Sequence, residues 1–331
     1  MDSLIFAINA VAPIIATVAI GYILKKIGFM TPDFAKAANK LVFRLFLPAM
    51  LFLNIYNIQA LGGMDFGYVI YVLAAVFVIF LVSLPLILTV TKPAARRGAL
   101  LQSVFRSNYA LIGIPLSQAL FGDKGAAVAT LLSAVTIPSF NILAVISLSI
   151  FRPNGGKPSV KKILLGIIKN PLIQAVFAGL AVVGIRAVLA HFGVGFHLTS
   201  IGPLFKVLNY LANMATPLAL LVLGAQFEFS AVSSLRREIV FGTLMRTVAV
   251  PVFGLGCAYV LRALHVIPLE GEHFAAFVAV FATPVAVSSV PMAQEMDSDV
   301  TLAGQLVVWT TLVSALTVFL SAFILRLVGI F

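Results

Sequence analysis

The stretch Arg106-Ser107-Asn108-Tyr109, followed by Gly113 and Pro115, crowds hydrogen-bonding groups and two helix-disrupting residues into an otherwise apolar run. Thr283-Pro284, Ser288-Ser289 and Pro291 do the same later in the chain. Proline lacks an N–H and clashes with the turn before it, so carbonyls are left that need other partners. Within lipid such an interruption must be buried in protein or line a cavity. Two interrupted helices meeting near the midplane would aim half-helix N-termini at a common point, with partial positive charge and free N–H groups suited to an anion. Asn108 adds amide donors and an acceptor at a depth where an unpartnered polar group is costly. Arg106 is the candidate anion guide. The substrate-binding candidates are thus Ser107, Asn108, Tyr109, Gly113, Thr283, Ser288 and Ser289, with Pro115, Pro284 and Pro291 marking the crossover of the broken helices. Taken singly, each proline serves equally as a kink, and Asn108 equally as a partner for a freed carbonyl.

Absences narrow the chemistry. Every Asp and Glu falls in or near an expected loop, and His191, His197, His265 and His273 lie at segment edges. A buried proton relay is not visible, which argues against a carboxylate-based cation antiporter. The pattern suits an uncharged polar site that accepts an anion, with any coupling ion, Na+ or H+, held by carbonyls and hydroxyls. No zinc-binding histidine pair, nucleophile elbow or phosphate-binding glycine loop occurs, so no metal site, cofactor or catalytic residue is expected. Cys257 is the single cysteine and reads as packing. Asn54, Asn141, Gln174 and Gln226 read as helix-to-helix hydrogen-bonding amides. Arg44, Arg106 and Arg246 are placed toward cytoplasmic helix ends, where snorkelling accommodates them.

The elements that must position these residues follow from hydropathy. The 331 residues are 61% hydrophobic and 10% charged, with mean hydropathy +1.12, which puts the chain in lipid. Apolar segments are expected at 4–25, 37–56, 66–91, 99–121, 125–151, 166–190, 201–227, 239–264, 273–293 and 301–329. The fold class is an all-α integral membrane protein of about ten transmembrane helices. Met1-Asp2-Ser3 lacks a basic region and cleavage site, so the first segment reads as retained. The net charge of +11 reflects topology rather than nucleic acid. Lys25, Lys26, Lys36, Lys92, Arg96, Arg97, Arg152, Lys157, Lys161, Lys162, Lys169, Arg236 and Arg237 all follow odd-numbered segments. The positive-inside rule then puts both termini on the non-cytoplasmic side. Short loops without a targeting segment point to a bacterial inner membrane.

The chain also echoes itself. Ile114-Pro115-Leu116-Ser117-Gln118 matches Val290-Pro291-Met292-Ala293-Gln294 at an offset of 176, which also pairs Asp123 with Asp299. Leu47-Pro48-Ala49-Met50-Leu51 matches Thr216-Pro217-Leu218-Ala219-Leu220 at an offset of 169. Five crossings per half make the second copy inverted relative to the first. The expected organisation is a first repeat over 1–151, a short basic cytoplasmic linker over 152–162 and a second, inverted repeat over 163–331.

Several of these residues resemble those of the auxin efflux carrier family, which includes plant auxin carriers and bacterial malate and malonate permease-like proteins. They are Ala12-Pro13, Phe29-Met30-Thr31-Pro32-Asp33, Asn39-Lys40-Leu41-Val42 with Leu47-Pro48, and above all Asn108 to Leu116. Lys169-Asn170-Pro171, Pro217 to Gly224 and Ala293-Gln294-Glu295-Met296 extend the match over essentially the whole chain. The resemblance implies a scaffold of segments 1, 2, 6 and 7 and a transport domain whose fourth and ninth helices cross at their proline breaks. It further implies elevator-type alternating access, a homodimer, and contact between Asn108 and a substrate carboxylate. Two features depart from plant members: the linker is short, and Pro291 is displaced from their crossover proline.

The expected function is secondary or facilitative transport of a small organic anion, a carboxylate such as malate, malonate or an auxin-like acid. Its partners are that carboxylate and the lipid bilayer, with no nucleic acid. The alternatives are a sodium-coupled anion symporter of the related bile-acid-transporter-like superfamily, a channel, or a membrane-embedded enzyme.

Overall fold

The computed structural model describes residues 2–57, 66–153, 160–193, 195 and 197–331. The expected linker over 152–162 falls largely outside them, as does Asp65. Among the described residues the regular secondary structure is all helical, with turns and short loops between the helices and one isolated bridge between Ser107 and Val285. Away from their ends, helices satisfy backbone groups within their own segment, which lipid demands.

In chain order the helices are α1 (Asp2–Lys26), α2 (Pro32–Tyr56), α3 (Phe66–Val90), α4 (Ala94–Phe105), α5 (Tyr109–Ile150) and α6 (Val160–Lys169). They continue with α7 (Pro171–His191), α8 (Gly202–Gln226), α9 (Arg236–Ala263), α10 (Gly271–Phe281), α11 (Ser289–Glu295) and α12 (Val300–Leu327). Among the described residues seven helices are long and apolar enough to cross a membrane: α2, α3, α5, α7, α8, α9 and α12.

Helices occur within each expected segment, but the segments at 99–121 and 273–293 are interrupted by non-helical chain at 106–108 and 282–288, and three further boundaries differ. α2 starts earlier, at Pro32, because the Thr31 hydroxyl accepts the Phe34 N–H at 3.2 Å and Pro32 fits a first helical position. The sixth segment is split, because Asn170 caps Leu172 at 2.9 Å and Pro171 starts a new helix, separating α6 from α7. α5 runs 42 residues, which straight would be about 63 Å, roughly twice the hydrocarbon thickness. It is broken at Gly122, whose φ of 59° and ψ of −152° only glycine adopts readily.

Proline also sets the local geometry inside helices. Three wide π turns, Val42–Phe46, Tyr109–Gly113 and Met245–Ala249, each end two residues before a proline: Pro48, Pro115 and Pro251. The residue between donates back to the start of the turn: Leu47 to Val42, Ile114 to Tyr109, and Val250 to Met245. The proline ring excludes the carbonyl four residues earlier and the turn widens to accommodate it.

Packing sorts the helices into two groups. α1, α2, α7 and α8 pack chiefly on one another, while α3, α4, α5 and α9 to α12 form the second group, joined to the first along α1 and α12. α1 and α8 approach so closely that a methyl group on Gly21 would overlap the Leu221 carbonyl, and one on Gly224 the Val18 carbonyl. α10 is the centre of the second group: Phe274, Phe277 and Phe281 are fully buried. Being enclosed by protein on all sides, it need not span the bilayer by itself.

Candidate functional site

Two interruptions in the helices face each other. α4 stops at Phe105 and α10 at Phe281, 176 positions apart, the offset at which the sequence repeats. The chain then runs extended at Arg106, and non-helically through 282–288 by a turn, a short stretch bridged at Val285 and a second turn, before α5 and α11 begin. The Asn108 N–H donates to the Pro284 carbonyl at 2.8 Å and the Ala286 N–H to the Arg106 carbonyl at 3.4 Å. The second interruption is longer, which is why Pro291 sits inside α11, past the contact, and Pro284 is the proline at the meeting point.

Helix ends expose carbonyls, and here Arg246 takes them. Its guanidinium donates to Thr283 O at 2.8 Å, Val280 O at 2.8 Å, Val104 O at 3.2 Å and Phe105 O at 3.3 Å. One side chain on the π turn of α9 thereby caps the C-termini of both α4 and α10. A cation at two helix C-termini is also favoured by their dipoles. Arg246 is fully buried, so the expectation that it snorkels to a cytoplasmic end is overturned. Arg44 does reach the surface, where it pairs with Glu295 at 3.0 Å.

Arg106 is different in kind. It is 3% exposed, so it too lies in the interior rather than at a helix end. It donates to Gln102 Oε1 at 3.3 Å, Met292 Sδ at 3.0 Å, Asn141 Oδ1 at 2.9 Å and Ser288 Oγ at 2.9 Å. Every one of these acceptors is neutral. A buried charge without a counter-charge costs several kcal/mol after relaxation. Arg106 lacks the double helix-end capping that offsets the charge of Arg246, and it opens onto a cavity.

That cavity measures about 560 Å³ with its open mouth included. One wall is the two interruptions: Arg106, Ser107, Asn108, Tyr109, Ala286, Val287 and Ser288, with Asn141 of α5 behind. The opposite wall comes from the first helix group, through Leu47 and Met50 of α2 and Thr216 and Ala219 of α8. Leu47 and Thr216, like Met50 and Ala219, are pairs at the repeat offset of 169. Among the described residues no Asp or Glu lines the cavity. The Asn108 side-chain nitrogen and the Ser107 hydroxyl are buried with no hydrogen-bond partner.

Of the sequence candidates, the structure brings Arg106, Ser107, Asn108, Tyr109 and Ser288 to this cavity. Tyr109 presents its aromatic body, because its hydroxyl donates to Ala129 O at 2.7 Å. Gly113, Thr283 and Ser289 lie outside the lining. Gly113 lets α5 approach α10, since an added methyl would meet the Ala279 carbonyl at 3.0 Å. The Thr283 hydroxyl, just past the end of α10, donates back to Ala279 O of that helix at 2.8 Å. Ser289 is buried with its carbonyl accepting from Gln102 at 3.2 Å. The start of α5 lines the cavity, as does Ser288 at the N-cap of α11, while the Ser289 and Val290 N–H groups of α11 bond back to the carbonyls of Ala286 and Val287. Thr216 and the Arg106 contact of Asn141 were not expected from sequence. Among the described residues no group of three His, Cys, Asp or Glu side chains is placed to hold a metal.

Residues 6–321 match a family model described as membrane transport protein. A protein of Methanothermobacter thermautotrophicus named as an uncharacterized transporter is 25% identical over 319 residues, 92% of this chain and 94% of that protein.

Proposed function

This chain belongs to the membrane transport protein family, the auxin efflux carrier family, and from that premise we propose that it carries a small carboxylate through the cavity beneath Arg106 and Asn108. It is a multi-pass membrane protein of a transporter family. The observation that carries the reading is the electrostatics of the cavity: a buried guanidinium with neutral partners, an unpartnered amide donor in the same lining, and no acidic group among the described lining residues. A carboxylate completes that set by charge-assisted hydrogen bonds. A cation would meet an uncompensated positive charge. The apolar wall of Leu47, Met50, Leu51, Ile137 and Phe140 accommodates a carbon skeleton, as malate, malonate or an auxin-like acid would present.

The mechanism we favour is elevator-type alternating access. α1, α2, α7 and α8 form the static scaffold, and the group holding both interruptions moves past it with the substrate. Because the cavity is walled by both groups, their relative displacement changes its access. The arrangement belongs with ten crossings in two inverted five-helix halves, 1–151 and 163–331, joined by the basic stretch 152–162. The repeat offsets between facing cavity residues support it. The favoured setting is a homodimer in a bacterial inner membrane with both termini outside.

Counterflow in proteoliposomes tests the function. Vesicles loaded with unlabelled carboxylate should accumulate labelled carboxylate transiently and saturably, with the substrate recovered unchanged. Conductance without counterflow would make the protein a channel, and a chemically altered substrate would make it an enzyme.

A further inference from the structure

Four carbonyl oxygens converge where the two interrupted helices end: those of Val104, Phe105, Val280 and Thr283. Converging neutral oxygens at helix C-termini are the chemistry that holds an alkali cation in a membrane protein, through dipoles and without a carboxylate. Here all four are taken by Arg246, which is fully buried and reaches them from a different helix. The oxygens belong to the two helix ends that lead into the cavity wall. Phe105 adjoins Arg106, and Thr283 adjoins Pro284, whose carbonyl receives the Asn108 N–H at 2.8 Å.

We infer that Arg246 is a built-in cation: it fills a carbonyl cage that would otherwise take a monovalent ion, and thereby positions Arg106 and Asn108 with no ion bound. Two consequences follow. Ligand binding at the cavity is independent of Na+, and removal of the side chain converts the cage into a site for guanidinium or an alkali ion. Arg246 is a positioning residue, because it lies outside the cavity lining and acts through the backbone on either side. The effect on the ligand rests on the carboxylate reading of the cavity; the cage itself does not.

The test uses purified full-length protein in detergent at constant ionic strength, with choline, sodium, potassium or guanidinium chloride at concentrations far below those that unfold proteins. Thermal stability is followed first without carboxylate. Wild type is expected to be indifferent to the cation, and a specific sodium or potassium stabilisation of wild type would overturn the inference. Arg246→Ala is expected to melt lower in choline and to recover in guanidinium, sodium or potassium. A folded alanine variant with no cation-specific recovery would overturn it. Should Arg246→Ala not fold, Arg246→Lys decides, since it keeps the charge and loses the planar fork. It is expected to fold with carboxylate affinity within about tenfold of wild type, and a lysine variant as unstable as the alanine one would contradict a role as cation. Carboxylate titration of wild type then separates the two claims. Failure there, with the cation responses as expected, removes the carboxylate reading and leaves the cage.

Discussion

Asn108 donates its backbone N–H to the carbonyl of Pro284 at 2.8 Å, closing two helix interruptions onto each other across 176 residues of chain. That bond consumes the backbone donor of Asn108, a residue of the cavity lining, and leaves its side-chain nitrogen buried without a partner. Structure and ligand contact are thus divided within one residue.

Asn108→Ala is therefore expected to spare the fold. Removing an unpartnered buried amide is neutral or slightly stabilising, whereas losing a hydrogen bond to a charged ligand costs about 1.5–3 kcal/mol, roughly a ten- to hundredfold loss of affinity. Melting curves with and without carboxylate check this. A melting point lowered by many degrees in the absence of ligand would mean that the side chain is structural.

Arg106→Met is expected to abolish carboxylate binding and to keep or raise the melting temperature, because a charge with only neutral partners leaves the interior. Arg106→Lys keeps the charge but cannot reach Asn141, Ser288 and Gln102 together, so binding should weaken at least about tenfold. Isothermal titration measures both. Wild-type affinity in Arg106→Met would take the guanidinium out of the site.

Gly224→Ala and Gly21→Ala probe the join between α1 and α8. A methyl at either position overlaps backbone of the facing helix rather than a movable side chain. Overpacking of this kind costs about 1–3 kcal/mol or more. The yield of monodisperse protein and its melting temperature should fall, while Gly184→Ala on α7, where an added methyl meets nothing, should be silent.

The two helix groups are also tied at one edge. Asn39 of α2 and Gln226 of α8 both donate to Gln294 Oε1 of α11, at 2.8 and 3.1 Å. In a Cys257→Ser background, cysteines at 39 and 294 joined by a short reducible crosslinker are expected to stop counterflow while leaving carboxylate binding intact, with recovery on reduction. Full transport by the crosslinked protein would rule out relative movement of the two groups.

The sequence disclosed the interruptions because proline and amide stand out in an apolar run. Arg106, Ser107, Asn108 and Ser288 were legible on that ground. Gly113, Thr283 and Ser289 were singled out by the same pattern, yet Gly113 packs against α10, the Thr283 hydroxyl bonds Ala279 O, and Ser289 is buried outside the cavity lining, distinctions that composition does not carry. Arg246 was misread for a physical reason: its four acceptors lie between 34 and 142 residues away in the chain. One local signal was available, since it falls within the turn before a proline, as Arg44 and Tyr109 do. Thr216 was visible only as the counterpart of Leu47 at the repeat offset, and its place in the cavity comes from α8 facing α2.

The measurement that bears most directly on the central claim is a stability screen of purified wild type against malate, malonate, succinate, citrate and indole acetate, with simple amines as the opposite-charge control. A ligand of the folded state raises apparent stability with its occupancy. At least one carboxylate should raise the melting temperature of wild type, that shift should vanish in Arg106→Met and shrink in Asn108→Ala, and no amine should act. Stabilisation by amines, or by a carboxylate to the same extent in all three proteins, would contradict an anion site built on Arg106 and Asn108.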